Sequence, residues 1–504
     1  MKNLMRFGIA LAVCLSGWAL APVVDLPSVA FGWERYADAY SLIHRSVIPA
    51  AAVASGAAGA FFQTDVDINN TASAGTAQYE FWWLPRGADN SNPVHSDIFT
   101  LDGGRSVRIE NVLTEVFGFQ PDQVGALVIA SDSDSLIAQS RTYNLPGGPS
   151  DGTFGQALPA VPADELIGAG DTRRIIFMSE DTAFRANVGC VNGTDAPVNI
   201  LLDLYDAEGT ELDTQTMNLG PWSNNQINRI FRAHQPVSGY VEVHSDTSGA
   251  AYYCYGSVLD NVTSDPTTIL PQTPSTGTTY YIPAAALAAG SAGAFFQTDV
   301  DINNTGAATS YTFTWLPRGE DNSSPLQSGE YTLDAGMSAR FENVLSEVFS
   351  LQPDAAGALG IQSPSNGLLA MSRTYNLPGG PSDGTFGQAL PGIQEGDLTR
   401  AGERRRIIFL SQNAELRANV GCINATAEDI TVDIDIYGDT GALLGTRQME
   451  LRAGSNDQIN RILQPYAPTN GYVDVSSNTT GALFYCYGSV LDNQTSDPTT
   501  IMTQ

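Results

Sequence analysis

The chain of 504 residues is poor in basic side chains, and Lys2 is its only lysine. Chemistry that needs a lysine further along the chain, such as a Schiff base or a phosphate-binding loop, is therefore excluded. The 24 basic residues stand against 54 acidic ones, which gives a net charge of −30. Nucleic acids and anionic membrane surfaces attract clusters of Lys and Arg, so the sequence predicts no nucleic-acid partner.

Histidine is also scarce, with four residues, and all of them lie in the first half of the chain: His44, His95, His234 and His244. A Ser-His-Asp arrangement would therefore exist in one half only. No apolar run beyond the N-terminal region approaches the roughly 18 residues that cross a bilayer. The sequence predicts no transmembrane segment and a protein that is not an enzyme. A secreted hydrolase is the least favoured alternative, because so many acidic residues form carboxylate pairs by chance.

The N-terminus has the pattern of a secretory signal. Lys2 and Arg6 precede an apolar run over residues 7–21, and small residues follow. We predict a signal peptide over residues 1–30 and an N-terminal arm over residues 31–45. The protein is then exported, and its location is periplasmic, extracellular or on the cell surface.

The rest of the chain is one unit of about 230 residues written twice. The recurring segments are AGAFFQTDVDINNT at 58–71 and 292–305, SRTYNLPGGPSDGTFGQALP at 140–159 and 372–391, and CYGSVLDN at 254–261 and 486–493. A weaker repeat divides each unit, because residues 62–70 line up with residues 184–192 and residues 137–144 with residues 254–261. We therefore predict four modules, at 46–160, 166–272, 279–392 and 398–504.

Hydrophobic side chains alternate with a period of two inside the modules, as in Thr431–Tyr437 (TVDIDIY). Turn signals recur about every ten residues, which favours antiparallel sandwiches over a β/α fold. Helix is confined to one or two turns at Asn111–Phe117 and Asn343–Phe349. The predicted fold class is all-β, with four tandem antiparallel β-sandwich modules arranged as a rod.

Four cysteines beyond the signal region form two pairs with equal spacing, Cys190 with Cys254 and Cys422 with Cys486. In an exported chain this spacing predicts one disulfide in the second module and one in the fourth. The aligned positions in the first module are Ile68 and Ile137, and in the third they are Ile302 and Leu369. We expect each apolar pair to face across a core, as the cysteines do.

The segments FFQTDVDINNT, WLPRG, SRTYN with GTFGQALP, and YGSVLDN with DPTTI resemble the tandem immunoglobulin-like β-sandwich repeats of exported bacterial proteins, most of them without an assigned function. The cysteine spacing is similar to the bridge between the two sheets of immunoglobulin domains. The modules with cysteines lack the tryptophan that such domains carry, so the sequence departs from true immunoglobulins. The resemblance implies a role as a surface spacer, an adhesive stalk or an appendage to an enzyme.

Two sets of oxygen side chains are candidates for a cation site: Asp65, Asp67 and Asn69, and their counterparts Asp299, Asp301 and Asn303. Alternating oxygen ligands suit Ca²⁺, although the glycine and glutamate of an EF-hand loop are missing. The alternative, which we favour, places all three side chains of a set on the solvent face of a strand. No cofactor is predicted otherwise.

Three further side chains suggest a ligand: Trp82, Arg141 and Arg373. Trp82 precedes Trp83, and alternation places only one of them in the core. We expect Trp83 inside and Trp82 outside, where it could stack on a sugar. Arg141 and Arg373 could clamp a carboxylate, but we favour an ion pair with an aspartate such as Asp65.

The sequence therefore predicts an exported, non-enzymatic structural or adhesive repeat protein of the cell envelope or the extracellular space. The alternative is an array of carbohydrate- or calcium-binding modules. The partner is not defined by the sequence; a surface glycan or another envelope protein would suit either function.

Overall fold

The computed structural model describes residues 42–504 apart from 57–58, 146–151, 236, 275, 378–382 and 467–468. The predicted signal peptide and all but the last four residues of the predicted arm lie outside the described residues. From Leu42 onward the chain forms one compact unit. Its strands group into four sandwiches of antiparallel sheets, so the predicted all-β fold class is confirmed.

The first sandwich contains strands β1 to β10 and one short helix, α1. Their bounds are β1 His44–Ser55, β2 Phe61–Asn70, β3 Thr76–Pro85, β4 Val94–His95, β5 Phe99–Asp102, β6 Ser106–Ile109, α1 Val112–Phe117, β7 Gln123–Ser131, β8 Leu136–Asn144, β9 Phe154–Pro159 and β10 Val161–Pro162. The predicted short helix is therefore present.

The second sandwich contains strands β11 to β19. Their bounds are β11 Ile167–Gly168, β12 Thr172–Glu180, β13 Phe184–Asn192, β14 Val198–Asp206, β15 Glu211–Leu219, β16 Asn224–Ile227, β17 Val237–His244, β18 Ala251–Asp260 and β19 Pro266–Ile269.

The third sandwich repeats the first. Its elements are β20 Thr279–Ala289, β21 Phe295–Asn304, β22 Thr309–Pro317, β23 Leu326–Gln327, β24 Tyr331–Leu333, β25 Ser338–Phe341, α2 Val344–Phe349, β26 Ala355–Gln362, β27 Leu368–Asn376, β28 Phe386–Pro391 and β29 Ile393–Gln394.

The fourth sandwich repeats the second. Its strands are β30 Thr399–Arg400, β31 Arg404–Gln412, β32 Leu416–Asn424, β33 Ile430–Gly438, β34 Leu443–Leu451, β35 Asn456–Ile459, β36 Thr469–Ser476, β37 Leu483–Asp492 and β38 Pro498–Met502.

The second sandwich shows the layout most simply, because its two sheets are separate. One sheet has the order β11-β18-β13-β16, with β19 beside β18, and the other has the order β12-β17-β14-β15. In the first sandwich the equivalent strands join into one ten-stranded sheet. The joint is β1, which pairs with β7 along most of its length and with β2 near its end, and which has a bulge between Ile48 and Ala51. Pro49 falls in this bulge, where a missing backbone donor costs little.

The cores form because alternating apolar side chains of facing sheets meet. On β33, the side chains of Ile430, Val432, Ile434 and Ile436 are buried, and the intervening residues are partly exposed. The short helix α1 contributes Val112 to the core of the first sandwich. This pattern explains why the period of two in the sequence identified the strands.

Both predicted disulfides are present, but they lie within a sheet. Cys190 on β13 and Cys254 on β18 are directly paired in register, with a Cα–Cα distance of 4.1 Å, and Cys422 and Cys486 repeat the arrangement. The resemblance to a bridge between two sheets is therefore wrong in this detail. Ile68 pairs with Ala138 and not with Ile137, so the sequence alignment was one residue out of register.

The four sandwiches close into a cycle, so the predicted rod is wrong. Residues 44–269 are called the first unit below, and residues 279–502 the second unit. The first sandwich contacts the fourth through hydrogen bonds such as Ser106 N to Asp439 O, at 2.8 Å. The third contacts the second through the equivalent bond from Ser338 N to Ala207 O, at 2.7 Å. This exchange of equivalent contacts is the pattern of an isologous dimer, here within one chain.

Glycines permit the closest approach between the two units. A Cβ on Gly441 would lie 2.5 Å from the carbonyl oxygen of Gly104, and both residues have a φ of 78°. Such positive φ values are easily adopted only by glycine. The two turns can therefore touch because neither carries a side chain at this position.

Candidate functional site

The two sets of oxygen side chains predicted to face solvent are instead buried, apart from Asp65 and Asp299, which are half-buried. Asp67 is 1% exposed and Asn69 is 0% exposed on β2. The Asp65 Oδ1 atom accepts hydrogen bonds from Asn111 N at 2.8 Å and from Tyr143 OH at 3.2 Å. The expectation failed because the fourth sandwich covers this face of the strand.

Arg108 links Asp67 to the fourth sandwich. Its Nη2 atom lies 2.9 Å from Asp67 Oδ2, its Nη1 atom donates to Ser411 Oγ at 3.0 Å, and its guanidinium carbon lies 3.6 Å from the ring centre of Phe409. Burial raises the pKa of Asp67 to about 6, and Arg108 opposes that rise. Asn69 adds a second link, because its Oδ1 atom accepts from Arg406 Nη1 at 2.7 Å.

The second unit contains the same links to the second sandwich. Arg340 pairs with Asp301 at 2.8 Å and lies 3.9 Å from the ring centre of Phe177, and Asn303 Oδ1 accepts from Arg174 Nη1 at 2.7 Å. Within the described residues, no group of three or more His, Cys, Asp or Glu side chains could hold a metal ion. Calcium binding by these residues stays a prediction, and a cation would have to displace the arginine donors.

Trp82 is not an exposed stacking platform. Its side chain is 9% exposed and meets Trp222 of the second sandwich edge to face, with ring centres 5.4 Å apart. The guanidinium of Arg45 lies 4.8 Å from the ring centre of Trp82 and 5.3 Å from that of Trp222. Trp83 is in the core, as expected. Trp82 therefore stabilises the junction inside the first unit.

The corresponding junction in the second unit lacks this aromatic pair. Thr314 and Gly454 occupy the positions of Trp82 and Trp222, and Thr279 occupies that of Arg45. These three residues line a pocket of about 200 Å³ between the third and fourth sandwiches. The two intra-unit junctions therefore differ in how well they are filled.

Arg141 also crosses between the units. Its side chain is 4% exposed, and its Nε atom donates to Thr499 Oγ1 at 2.9 Å. Its Nη2 atom donates to Thr153 Oγ1 at 3.0 Å and lies 3.9 Å from Asp497 Oδ2. The predicted ion pair of the Arg141 head with Asp65 is therefore replaced by contacts to the fourth sandwich.

Two carboxylates complete this cluster, which we call the arginine clasp. Asp492 Oδ2 accepts from Thr153 N at 2.7 Å, and Asp497 Oδ2 accepts from Gly155 N at 2.9 Å. The second clasp is formed by the equivalent residues, which are Arg373, Thr385, Gly387, Asp260, Asp265 and Thr267. Each clasp fixes a strand of the recurring 20-residue segment, β9 or β28, to the neighbouring unit.

The two clasps influence one another electrostatically. Burial raises the pKa of Asp265 to about 8, and Arg373 opposes the rise. Burial also raises the pKa of Asp497, and the charge of Asp265 raises it further. The Oδ1 atoms of both residues are buried and lack a hydrogen-bond partner within the described residues. Asp265 is therefore poised to hold a proton near neutral pH, and burial disfavours the ionised form of Asp497 in the same way.

The four sandwiches meet at the centre of the cycle that they form. Strands β9, β19, β28 and β38 pack together there, and the rings of Phe154 and Phe386 lie 5.2 Å apart. Beside them is a cavity of about 390 Å³ lined by all four sandwiches. Its lining includes Gln156 from the first sandwich, Thr268 from the second and Met502 from the fourth. Only a closed arrangement of the sandwiches creates this space.

Sequence reasoning missed Asp260, Asp265, Asp492 and Asp497. They belong to the DNxTSDPTT segments that recur at the end of each unit. The signal was available, because these segments and SRTYN-to-QALP are among those most alike between the copies. Partners that must fit one another in two places retain the same side chains.

The chain is thus an all-β repeat protein built of paired antiparallel sandwiches. No family model matches it, and no curated protein matches it. Among solved structures, an α-L-rhamnosidase from Streptomyces avermitilis in complex with L-rhamnose aligns at 10% identity, over 88% of this chain and 57% of the enzyme, with a TM-score of 0.10.

A tetra-tandem repeat from the extending region of a large adhesion protein aligns at 13% identity, over 86% of this chain and 96% of the repeat structure, with a TM-score of 0.11. Dimeric latent PorU from Porphyromonas gingivalis aligns at 11% identity, over 72% and 31% of the two chains, with a TM-score of 0.13. TM-scores this low do not establish a shared architecture. In the described part of the chain, no helix is long and apolar enough to cross a membrane.

Proposed function

We propose that this chain is an exported, non-enzymatic structural or adhesive protein that works as one closed body. The observation that carries the proposal is the reciprocal pair of arginine clasps, which join the two units through contacts such as Arg141 with Thr499 and Arg373 with Thr267. A chain of independent spacer modules has no need of such contacts. A closed body keeps the relative positions of its exposed loops fixed.

The polar clusters support a structural role. The carboxylates of Asp67, Asp301, Asp265 and Asp497 all lie at junctions between units and face arginines. His95 pairs with Glu80 at 3.0 Å in the first sandwich, and His244 pairs with Asp203 at 2.9 Å in the second. The four carboxyl groups at the junctions support a role in specifying how the sandwiches associate.

Export is supported by the two disulfides, because such bonds persist in oxidising compartments. Each closes a loop with a sequence separation of 64 and stabilises the second or the fourth sandwich. The acidic surface, with a net charge of −30, keeps the protein soluble outside the cell.

Fractionation of the source cells, with and without a chelator, tests the proposal. We expect the protein on the cell surface or in the medium with its disulfides formed. Small-angle scattering of the purified chain should give the compact radius of gyration of a closed unit. A cytoplasmic, reduced protein would contradict the proposed export, and an extended scattering profile would contradict the closed body.

A further inference from the structure

A cleft of about 490 Å³ between the third and fourth sandwiches is cationic although the chain is strongly acidic. Three arginines line it, Arg318 from the third sandwich and Arg417 and Arg461 from the fourth. Among the described residues that form its wall, none is aspartate or glutamate. Excess positive charge in a concave site is a feature of anion binding.

Arg461 is the one of the three whose counterpart in the first unit, Arg229, has a counter-ion. Within the described residues, no carboxylate lies within ion-pair distance of its guanidinium. Its backbone has a φ of 51° and its N–H donates to Asn419 Oδ1 at 2.9 Å. Arg229 in the first unit has a φ of 53° and the equivalent bond to Asn187 Oδ1, so this backbone conformation belongs to the turn in both units.

The other two arginines also have no carboxylate within ion-pair distance among the described residues. Arg417 is 6% exposed, and its guanidinium donates to Asp492 O at 3.1 Å and to Asn493 Oδ1 at 2.9 Å, both neutral acceptors. Burial and the nearby charge of Arg461 lower the pKa of Arg417. The Arg318 Nε atom is buried and has no hydrogen-bond partner among the described residues.

The first unit shows one of these three arginines with a counter-ion. Arg229, the counterpart of Arg461, donates from Nε to Glu180 Oε1 at 2.7 Å. Glu180 is 0% exposed, and its Oε2 atom also accepts from Ala186 N at 2.9 Å. In the fourth sandwich Gln412 takes this position, and its Oε1 atom accepts from Ala418 N at 3.4 Å. The replacement keeps the backbone contact and removes the negative charge.

We propose that this cleft, the arginine cleft, binds a ligand that carries a carboxylate on a sugar ring, such as a uronic acid of an acidic polysaccharide. Guanidinium groups bind planar carboxylates through two parallel hydrogen bonds. The remaining polar wall suits sugar hydroxyls, since it offers amides and hydroxyls: Asn419, Gln458, Asn460, Ser489, Thr374 and Tyr487. Alanines of β20 form a shallow apolar floor.

This inference gives the adhesive function proposed above its ligand class and rests on that function. The two can fail separately. Loss of sugar binding would leave the fractionation and scattering results unchanged, whereas an extended or cytoplasmic protein would contradict the proposed function whatever the cleft binds.

Calorimetric titration of the full exported chain with digalacturonate tests the proposal. We expect binding that weakens with added salt, because the contact is an ion pair. Digalactose, which has the same ring without the carboxylates, should bind at least tenfold more weakly. Inorganic phosphate and sulfate are separate arms, and either one binding more tightly than digalacturonate would overturn the assignment to a sugar acid.

Gln412→Glu is the sharpest variant, because it installs the counter-ion that the second sandwich already contains. We expect digalacturonate binding to fall at least tenfold while the unfolding temperature is retained. Arg461→Gln should give the same loss, and Arg229→Gln in the first unit is the matched control with unchanged affinity. Unchanged binding in a folded Gln412→Glu protein, or no binding by the natural chain, would overturn the proposal.

Discussion

The junction inside the first unit and the junction inside the second unit have the same fold and opposite character. In the first, Trp82 and Trp222 fill the contact, and Glu180 neutralises Arg229. In the second, small side chains leave a pocket of about 200 Å³, and Gln412 stands in place of Glu180, so that Arg461 has no counter-ion among the described residues. The first junction is thus filled and neutralised, and the second is less filled and retains positive charge.

The junctions between units do not show this difference. Both arginine clasps use the same residues, at distances that agree within about 0.2 Å. Closure requires each clasp to fit a partner from the other unit, so a change in one copy would disturb the cycle. The intra-unit junctions are under no such constraint, because each occurs once per unit and can change alone.

Substitutions that make the junction inside the first unit resemble the junction inside the second unit should have the largest effect on the free energy of unfolding. Trp222→Gly removes an indole that is 8% exposed, and Trp82→Thr removes its partner. Each change should lower the free energy of unfolding by about 3–5 kcal/mol, because large buried aromatic groups leave cavities. Denaturant unfolding of the purified chain measures the loss.

Thr314→Ala in the second unit is the control and should cost less than about 1 kcal/mol, since little packing is lost there. Equal losses at Trp82 and Thr314 would show that the first junction is not the better packed one.

Removal of either disulfide should have the next largest effect. Cys190→Ala with Cys254→Ala opens a loop with a sequence separation of 64, and the same holds for Cys422 with Cys486. The chain-entropy description gives a loss of about 2–4 kcal/mol for such loops. Hydrogen exchange should locate the loss in the second or the fourth sandwich.

The difference between the two intra-unit junctions predicts that removal of a disulfide affects the neighbouring sandwich in the first unit but not in the second. In the first unit, opening of the second sandwich should increase exchange on β3, since Trp222 packs on Trp82. In the second unit, β22 should keep its protection. Similar exchange on β3 and β22 would argue that the tryptophans do not couple the two sandwiches.

Much of this fold was predictable because it is written in local patterns. The period-two alternation identified strands such as β33, and the equal cysteine spacing identified both disulfides. The two predicted short helices are present as Val112–Phe117 and Val344–Phe349. These features depend on neighbours along the chain or across one hairpin, where sequence distance and spatial distance agree.

The closed arrangement was not predictable in the same way. The alternation along each strand predicts that three side chains lie on the outer face of a sandwich: Asp67, Arg141 and Trp82. They are buried because a neighbouring sandwich covers that face. A single strand does not show which of its faces another module will cover. The internal duplication contained the hint, since the SRTYN and DPTTI segments contact one another and are kept in both copies.

Protonation of Asp265 and Asp497 should give a pH dependence that belongs to the inter-unit junctions alone. Burial raises the pKa of Asp265 to about 8, so the folded protein holds a proton that the unfolded chain releases near pH 4. Stability from this group is therefore fully present at low pH and is lost as the pH rises toward 8. We expect the difference between pH 5 and pH 8 to be about 1–3 kcal/mol.

Asp265→Asn together with Asp497→Asn should remove this part of the pH dependence, because an amide does not titrate. The comparison of the variant with the natural chain at each pH cancels the contribution of all other carboxyls. If the two profiles run parallel from pH 5 to pH 8, these two residues do not hold the proton.

The variant Glu180→Gln should change stability least, and it compares the two intra-unit junctions most directly. Glu180→Gln places in the first unit the residue that the second unit already has, and Arg229 is 38% exposed, so water compensates for the lost partner. The free energy of unfolding should change by less than about 1 kcal/mol.

If the charge of Glu180 alone keeps this junction from binding acidic sugars, the Glu180→Gln variant should bind a second digalacturonate. Calorimetry would then give a stoichiometry of about two. A stoichiometry unchanged from the natural chain would mean that the tryptophan-filled junction lacks the required shape. Glu180→Gln combined with Trp82→Thr should then be tested for the second site.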